Sequence, residues 1–190
     1  MRPIIITSFV SLDGVMQAPG GAEGYRNEGW TFKFVEFDPA AYELKGREQE
    51  EASALLLGRR SYEQFAPVWP TMDEFAGYNA MPRYVVSTTL EHDDERWPAT
   101  VLRSLDDVAA LRRTDGGPIL VHGSAVLGKA LADAGLVDRY HLLMFPVLLG
   151  AGTRLFSEAD RDATKLALVD QAAYPNGVVK LVYDVVAGAR

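Results

Sequence analysis

Short apolar segments alternate with segments of helical spacing through most of this chain, and this alternation restricts the folds available to it. Runs rich in β-branched residues predict strands, and the segments between them have the apolar spacing of helices. The predicted strands are residues 3–10, 54–57, 83–87, 101–103, 119–121 and 140–149, and the predicted helices are 40–53, one that starts at 61, 105–113 and 125–134. Strands alternating with helices predict a mainly parallel sheet with helices on both faces.

The C-terminal part has a different pattern. Residues 166–172 and 178–186 alternate apolar and polar side chains around Pro175-Asn176-Gly177, which is typical of a β-hairpin. With 190 residues, 48% of them hydrophobic, the chain is long enough to bury one large core. The expected fold is therefore a single α/β domain over residues 1–190, with a mainly parallel central sheet flanked by helices and a C-terminal antiparallel hairpin.

The composition of the chain argues against several classes of binding partner. A net charge of −7 argues against a nucleic-acid surface. The absence of cysteine excludes a disulfide framework, a thiolate metal site and a cysteine nucleophile, and it fits a reducing cytoplasm. The first residues do not indicate secretion, and no apolar stretch reaches the ~18 residues of a membrane span. His92, His122 and His141 are too scattered to indicate a metal site. We therefore expect a cytoplasmic protein with no metal, nucleic-acid or membrane partner.

Ligands of such sheets bind at the carboxyl ends of the parallel strands, so the loops after the strands are the candidate sites. After residues 54–57, Ser61 and Gln64 have capping-box spacing, which predicts a helix N-cap at Ser61. Arg59 and Arg60 then precede the helix, where its dipole disfavours cations by up to ~1 kcal/mol. A bound anion explains two arginines at this place, and pairing with Glu63 is the alternative.

Two further strand ends carry groups that suit an anion. The hydroxyls of Ser87 and Thr88 are suited either to a phosphate or to local turn amides. His122-Gly123-Ser124 lies before the helix 125–134, with Ser124 predicted as its N-cap. The free amides and the dipole of that helix suit a pyrophosphate, although an ordinary strand-to-helix turn needs the same residues.

Five segments occur in an order and at a spacing that resemble a known family: SLDGVM, LLLGRRSYEQF, YVVSTTL, ILVHGSAVLGKAL and GLVDRYHLLMFPVLLGAGTRLF. The chain resembles the dihydrofolate reductase-like family, and within it the reductase domain of the bifunctional riboflavin-biosynthesis deaminase/reductase. It is most similar to a stand-alone branch that has HGS where better-known relatives have a Gly-Gly pair. The resemblance implies a dihydrofolate reductase-like fold, binding of NADPH and assembly as a homodimer. The zinc deaminase domain of the bifunctional enzyme has no counterpart in a chain without cysteine.

The resemblance also implies site residues. The cofactor-binding residues are Arg59, Arg60, Ser61, Ser87 and Thr88 around the 2′-phosphate, and His122, Gly123, Ser124, Ala125 and Val126 around the pyrophosphate. The loop after the first strand is implied to cover the nicotinamide and the substrate with Gly14, Val15 and Met16. Trp30, Phe32 and Phe34 are candidates to stack on a flat substrate, although aromatic clusters are more often packing.

Asp13 is the candidate catalytic residue, because relatives of the riboflavin pathway share the SLDG segment and use this strand end near the substrate. Its alternative role is that of a turn residue that binds its own backbone. Glu36, Asp38 and Glu43 do not align with the carboxylate that folate-reducing relatives place beneath the pterin.

The expected activity is hydride transfer from NADPH to a small heterocyclic, carbonyl or imine substrate, for which the protein supplies position and a proton source. Two alternatives stay open. The first is a stand-alone 5-amino-6-(5-phosphoribosylamino)uracil reductase of riboflavin synthesis. The second is a nucleotide-binding or regulatory module without turnover.

Overall fold

The computed structural model describes residues 1–21, 24–156 and 162–186. Its strands are β1 (Ile4–Ser11), β2 (Ala54–Gly58), β3 (Arg83–Val86), β4 (Thr100–Leu102), β5 (Ile119–His122), β6 (Arg139–Phe145), β7 (Leu166–Ala173) and β8 (Val179–Val185). Its helices are α1 (Trp30–Lys33), α2 (Pro39–Glu51), α3 (Arg59–Phe65), α4 (Ala76–Ala80), α5 (Leu105–Arg112) and α6 (Ala125–Asp133), with short 3-10 turns at Trp69–Thr71 and Asp73–Phe75.

The strands form one eight-stranded sheet in the order β4-β3-β2-β5-β1-β6-β8-β7. The six strands from β4 to β6 in this order are parallel neighbours. β8 pairs antiparallel with β6, and β7 pairs antiparallel with β8. The mainly parallel sheet with a C-terminal antiparallel hairpin at its edge is therefore confirmed.

Helices cover both faces of the sheet, because successive side chains of a strand point to opposite sides. Ile4 and Ile6 of β1 belong to the same buried cluster as Leu131 of α6. Ile5, between them, belongs to a second cluster with Tyr62 of α3. No helix in the described part of the chain has the length and apolarity to cross a lipid bilayer.

β6 belongs to the core of this molecule. It lies between β1 and β8, and its Leu142, Leu143 and Phe145 side chains are buried. The strand ends at Phe145, short of the predicted end, because Pro146 has no N–H with which to continue the ladder. The sequence alone does not separate core from interface for this apolar segment, and its position in the sheet assigns it to the core.

The start of α3 differs from the prediction. The helix begins at Arg59 with Gly58 as its N-cap residue, so Ser61 is not the N-cap and the capping-box prediction is wrong. Arg59 and Arg60 lie within the first turn, and the Ser61 hydroxyl accepts the backbone N–H of Ser124 at 3.0 Å. The Ser61 hydroxyl therefore binds an amide on another loop instead of capping its own helix.

The start of α6 also differs. Ser124 flanks the helix, but it has the left-handed conformation (φ 60, ψ 51) and its side chain makes no capping hydrogen bond, so the N-cap prediction is wrong in its chemistry. The Ser124 hydroxyl instead accepts the backbone N–H of Gly58 at 2.9 Å. Two serine hydroxyls therefore connect the turn after β2 with the turn after β5, and the first amides of α6 keep no side-chain partner.

Candidate active site

A cleft with a volume of about 1420 Å³ opens beside the carboxyl ends of the parallel strands. We divide its lining into two parts. The polar part consists of Arg59, Arg60, Ser61, Ser87, Thr88, Thr89, Arg103, Ser104 and residues 122–127. The aromatic part consists of Phe9, Phe32, Phe37, Tyr42, Phe65, Val68, Trp69, Met72, Phe75 and Tyr78, together with Lys45, Gln49 and Glu74.

The polar part contains every residue that the sequence analysis placed around the cofactor. These ten residues are Arg59, Arg60, Ser61, Ser87, Thr88, His122, Gly123, Ser124, Ala125 and Val126. They come from the ends of β2, β3 and β5, which lie side by side in the sheet. The parallel topology thus brings the three anion-suited loops to one cleft, and their binding of a cofactor stays a prediction.

The turn before α6 is shaped to accept a phosphate group. Gly123 and Ser124 both have left-handed backbone, with φ near 61 and 60. A Cβ atom on Gly123 would lie 3.4 Å from Phe65 Cζ and from Ser61 Oγ, so glycine suits this close approach. The amides of Ala125 and Val126 open the helix, where backbone N–H groups have no intrahelical acceptor. Such a helix start is suited to a diphosphate.

The three arginines of the polar part have different partners. Arg59 pairs with Glu63 at 2.9 Å, as the alternative interpretation of the sequence proposed. Arg103, which the sequence analysis missed, donates to the carbonyl oxygens of Ser87 at 3.0 Å and Leu90 at 2.9 Å. Arg60 is exposed and has no hydrogen bond or ion pair to any of the described residues. The position of Arg103 directly after β4, like that of Arg59 after β2, was the signal available in the sequence.

The hydroxyls after β3 divide between two roles. The Ser87 hydroxyl accepts the backbone N–H groups of Thr89 at 3.1 Å and Leu90 at 2.9 Å, so it shapes the turn. The Thr88 hydroxyl lines the cleft and has no partner within the described residues. Thr88 is therefore the better placed of the two to meet a ligand.

Asp13 does not line the cleft, which corrects the expectation that it faces the substrate. Its carboxylate accepts the hydroxyl of Ser11 at 2.6 Å and the backbone N–H groups of Leu149 at 3.2 Å and Gly150 at 2.8 Å. The Ser11 hydroxyl, followed by these amides, holds the pKa of Asp13 below its usual range. A carboxylate kept ionised in this way stabilises the loop and is a poor proton donor.

The structure also separates the predicted substrate-contacting residues. Met16 and Phe32 line the cleft, whereas Gly14, Val15, Trp30 and Phe34 do not. Val15 and Trp30 are fully buried in the core, and the Phe34 side chain is 59% exposed. Trp30 donates its indole N–H to the carbonyl of Gln17 at 2.8 Å, so its polar atom is satisfied inside the protein. The Trp30 indole, which was a candidate to stack on a substrate, is therefore packed in the core.

Stacked rings form one wall of the aromatic part. Phe65 stacks on Trp69 with ring centroids 4.1 Å apart, and Trp69 stacks on Phe75 at 4.4 Å. The His122 ring meets Trp69 edge-on at 5.1 Å and Tyr78 at 5.5 Å. A wall of flat rings is suited to a planar aromatic ligand.

His122 is a neutral residue between the two parts of the cleft. Burial, reinforced by the charge of Lys45, lowers the pKa of His122 to about 3, against the opposing effect of Glu48. Its Nδ1 atom is buried and has no hydrogen-bond partner among the described residues. The ring therefore contributes shape and one unsatisfied polar atom, and it carries no charge near neutral pH.

This neutral histidine predicts a pH dependence of stability. In the unfolded chain His122 regains its ordinary pKa of 6.5 and binds a proton that the folded protein excludes down to about pH 3. The free energy of unfolding should therefore fall as the pH decreases below 6.5. Urea unfolding at a series of pH values should give a shallower decrease for His122→Phe than for the native protein. Equal slopes for the two proteins would contradict the buried, neutral state of His122.

A group of buried polar side chains lies beneath the aromatic part. Lys45 on α2 donates to the Thr7 hydroxyl and lies 3.3 Å from Glu48 Oε2. Thr7 donates to Glu48 Oε1 at 2.7 Å, and His141 Nδ1 lies 2.9 Å from the same oxygen. Burial alone would raise the pKa of Glu48, but Lys45 and His141 outweigh it and lower the pKa to about 2. Glu48 is therefore a fully ionised carboxylate in the interior.

Lys45 and Glu48 were not predicted as site residues, although the sequence carries one signal for them. The buried residues of α2 are Ala41, Leu44 and Glu48, which follow helical spacing along one face. A charged residue at an apolar position of that face indicates a buried partner. His141 supplies part of that partner. No three or more His, Asp or Glu side chains among the described residues are grouped so as to hold a metal ion.

Comparison with known proteins adds sequence relatives. A family model described as the RibD C-terminal domain matches residues 2–180. The uncharacterized protein YyaP of Bacillus subtilis (strain 168) is 25% identical over 189 residues, which cover 96% of this chain and 94% of YyaP.

Solved structures share the architecture at low sequence identity. A putative riboflavin biosynthesis protein from Shewanella sp. PV-4 has a TM-score of 0.76 and 19% identity, with 97% of this chain and 99% of that chain covered. A pyrimidine reductase-like protein from Corynebacterium diphtheriae has a TM-score of 0.65 and 16% identity, with 97% and 92% covered. Dihydrofolate reductase from Enterococcus faecalis, solved with NADP(H), has a TM-score of 0.58 and 18% identity, with 96% of both chains covered. The fold is therefore dihydrofolate reductase-like.

Proposed function

The chain belongs to the RibD C-terminal domain family, and we propose that it is an NADPH-dependent reductase of a small heterocyclic, carbonyl or imine substrate. Family and fold support a reductase of the riboflavin-pathway or dihydrofolate reductase type. The choice of NADPH as the cofactor and the class of substrate go beyond what the family and the fold support, and they are part of our proposal. The observation that carries the choice of cofactor is Arg60, a cation that lines the cleft at a helix start and has no hydrogen bond or ion pair to any described residue.

The polar part of the cleft has a suitable group for each charged portion of NADPH. Arg60 and Thr88 are placed to bind the 2′-phosphate, with Arg103 beside them. The amides of Ala125 and Val126 at the start of α6 are placed to bind the pyrophosphate. When bound, the dihydronicotinamide supplies the hydride, and the protein supplies orientation and a proton.

Replacement of Arg60 with alanine tests the choice of cofactor. Only NADPH carries the 2′-phosphate, so Arg60→Ala should weaken the binding of NADPH and leave the binding of NADH unchanged. The expected loss of NADPH affinity is about 10- to 100-fold, which is the usual contribution of a hydrogen bond to a charged group. Fluorescence titration of the purified protein with each cofactor measures both affinities.

Arg59→Ala is the matched control for this experiment. The Arg59 guanidinium already pairs with Glu63. Arg59→Ala should therefore reduce the affinity for NADPH less than Arg60→Ala does. Equal losses for NADPH and NADH in Arg60→Ala would place Arg60 away from the 2′-phosphate. Failure of the native protein to bind either cofactor would remove the proposed function.

Family membership also favours a second candidate, reduction of the phosphoribosylamino-uracil intermediate of riboflavin synthesis by a stand-alone domain. Such a substrate carries a phosphate, which is best bound by several cationic side chains. Among the described residues that line the aromatic part, only Lys45 is a Lys or Arg. We therefore place this candidate second. Complementation of a strain that lacks the riboflavin-pathway reductase tests it, and growth would promote it to first. We also propose, from the resemblance, that the protein is a cytoplasmic homodimer, for which light scattering is the test of assembly.

A further inference from the structure

We propose that Lys45 is the proton donor of this reductase and that the substrate is a planar aromatic compound carrying a C=O or C=N group. This inference rests on the proposed function, because it takes the hydride from bound NADPH. It assigns a catalytic role to a residue on α2 and a chemical class to the ligand of the aromatic part.

The ammonium group of Lys45 is held at one place in the cleft. Lys45 lines the cleft, and its side chain is 12% exposed. Its Nζ atom donates to the Thr7 hydroxyl, lies 3.3 Å from Glu48 Oε2 and is 5.0 Å from the centroid of the Phe9 ring. Three fixed neighbours on α2 and β1 thus hold the ammonium in position, whereas an exposed lysine moves freely.

The space in front of Lys45 is bounded by flat rings. On the α2 side, Phe32 stacks over Tyr42 at 6.4 Å, and Phe37 lies 4.9 Å from Tyr42. The stacked wall of Phe65, Trp69 and Phe75 described above lines the same cleft. Such walls favour a planar aromatic ligand, and a hydrogen-bond donor among them requires an acceptor on that ligand.

The other titratable groups around Lys45 are poorly suited to give up a proton. Glu48 on α2 is ionised, and His122 at the end of β5 is neutral. Tyr78 on α4 lies with its hydroxyl 3.4 Å from Glu48 Oε2, and burial raises the pKa of Tyr78 well above its usual value. His141 on β6 contacts Glu48 and does not line the cleft. Tyr42 on α2 also lines the cleft, and burial raises its pKa as well, so both tyrosines are weaker acids than a free phenol. Lys45 is therefore the group in the cleft best suited to give up a proton.

Burial makes Lys45 a better acid than an ordinary lysine. It lowers the pKa of Lys45, and the nearby Glu48 carboxylate opposes that shift in part. A general acid is most effective when its pKa approaches the working pH. The ionised Glu48 keeps the ammonium protonated in the resting protein, and the buried environment eases the loss of its proton.

The proposed step conserves atoms and electrons. The hydride forms a C–H bond at the carbon of the C=O or C=N group, and the π electrons of that group move to its oxygen or nitrogen. This atom takes a proton from Lys45 Nζ, so one N–H bond breaks and a neutral amine remains. The products are the alcohol or amine and the oxidised cofactor, and Lys45 regains a proton from solvent.

Isatin, a planar heterocyclic ketone, is the probe for this inference. Three proteins are compared: the native protein, Lys45→Met and Lys45→Arg. The tryptophan fluorescence of the protein in the presence of NADP⁺ measures isatin binding, since Trp69 lines the cleft, and NADPH oxidation measures isatin reduction. NADPH affinity measured without isatin shows that each variant is folded and has an intact polar part.

The three proteins should separate binding from proton transfer. Lys45→Met should bind isatin more weakly and reduce it about 100-fold more slowly, which is the low end of a general-acid contribution. Lys45→Arg keeps a charged donor but releases no proton, so it should bind isatin and show a similar loss of kcat. In the native protein kcat should be constant at low pH and fall as the pH rises through the lowered pKa of Lys45, and this fall should be absent in Lys45→Arg. Lys165→Met, at an exposed site outside the cleft, is the control and should behave as native.

Each contrary result has a defined meaning. If the native protein binds NADPH but neither binds nor reduces isatin, this inference is overturned and the proposed cofactor stands. If Lys45→Arg reduces isatin as fast as the native protein, Lys45 is not the proton donor. If the native protein does not bind NADPH, the proposed function itself fails.

Discussion

Replacement of Glu48 with leucine should lower the free energy of unfolding by about 3–5 kcal/mol, the usual cost of removing one partner from a buried ion pair. The carboxylate contacts Lys45, Thr7 and His141 in the interior, and its side chain is 1% exposed. Its loss leaves the Lys45 ammonium without its counter-charge in a buried place. Urea unfolding at neutral pH, followed by circular dichroism, measures the change.

Glu50→Leu is the matched control, because Glu50 lies on the same helix and is exposed. It should change the free energy of unfolding by no more than about 0.5 kcal/mol. The folded state holds the pKa of Glu48 at about 2, below its ordinary 4.5, so its contribution is complete above 4.5 and is lost as the pH falls towards 2. The difference between native and Glu48→Leu should shrink over that range. Equal small effects of the two substitutions would contradict the buried ion pair.

Trp30→Ala should also destabilise the protein by about 3–5 kcal/mol, the usual range for removing a buried indole. The Trp30 side chain is fully buried, packs edge-on against Phe145 at 5.3 Å and donates to the Gln17 carbonyl. Because Trp30 does not line the cleft, the folded variant should keep the NADPH affinity of the native protein. Chemical unfolding and NADPH titration measure the two properties separately.

Phe34→Ala is the control for that experiment, since the Phe34 side chain is 59% exposed. Its effect on the free energy of unfolding should stay within about 0.5 kcal/mol. A loss of NADPH affinity in folded Trp30→Ala with little change in stability would return Trp30 to the ligand site, where the sequence analysis had placed it.

The order of strands and helices could be predicted because the evidence for it is local. Apolar runs such as 119–121 and the alternation around Pro175-Asn176-Gly177 report on the segment in which they occur. Parallel topology then places the ends of β2, β3 and β5 side by side, so the ten residues that the resemblance implies for the cofactor line one cleft.

The helix starts at α3 and α6 could not be predicted, because their hydroxyls bind across the fold. Ser61 and Ser124 are 63 positions apart in the chain, yet the hydroxyl of the first accepts the amide of the second. The Ser61 hydroxyl accepts this distant amide instead of an amide of its own helix, so the local capping pattern is misleading. The same limit applies to Asp13, whose carboxylate accepts amides from Leu149 and Gly150 on a remote loop.

By itself, the sequence determined the class of fold, the order of its elements and the strand ends that supply most of the polar part of the cleft, because periodicity and strand-end chemistry are carried by neighbouring residues. Only the tertiary structure decided which side chains meet at the aromatic part. Lys45 and Glu48 acquire their roles from Thr7 on β1 and His141 on β6, which are 38 and 93 positions away respectively. Folding alone removes these groups from water and brings their charges together, and burial together with proximity shifts the pKa values of Lys45 and Glu48.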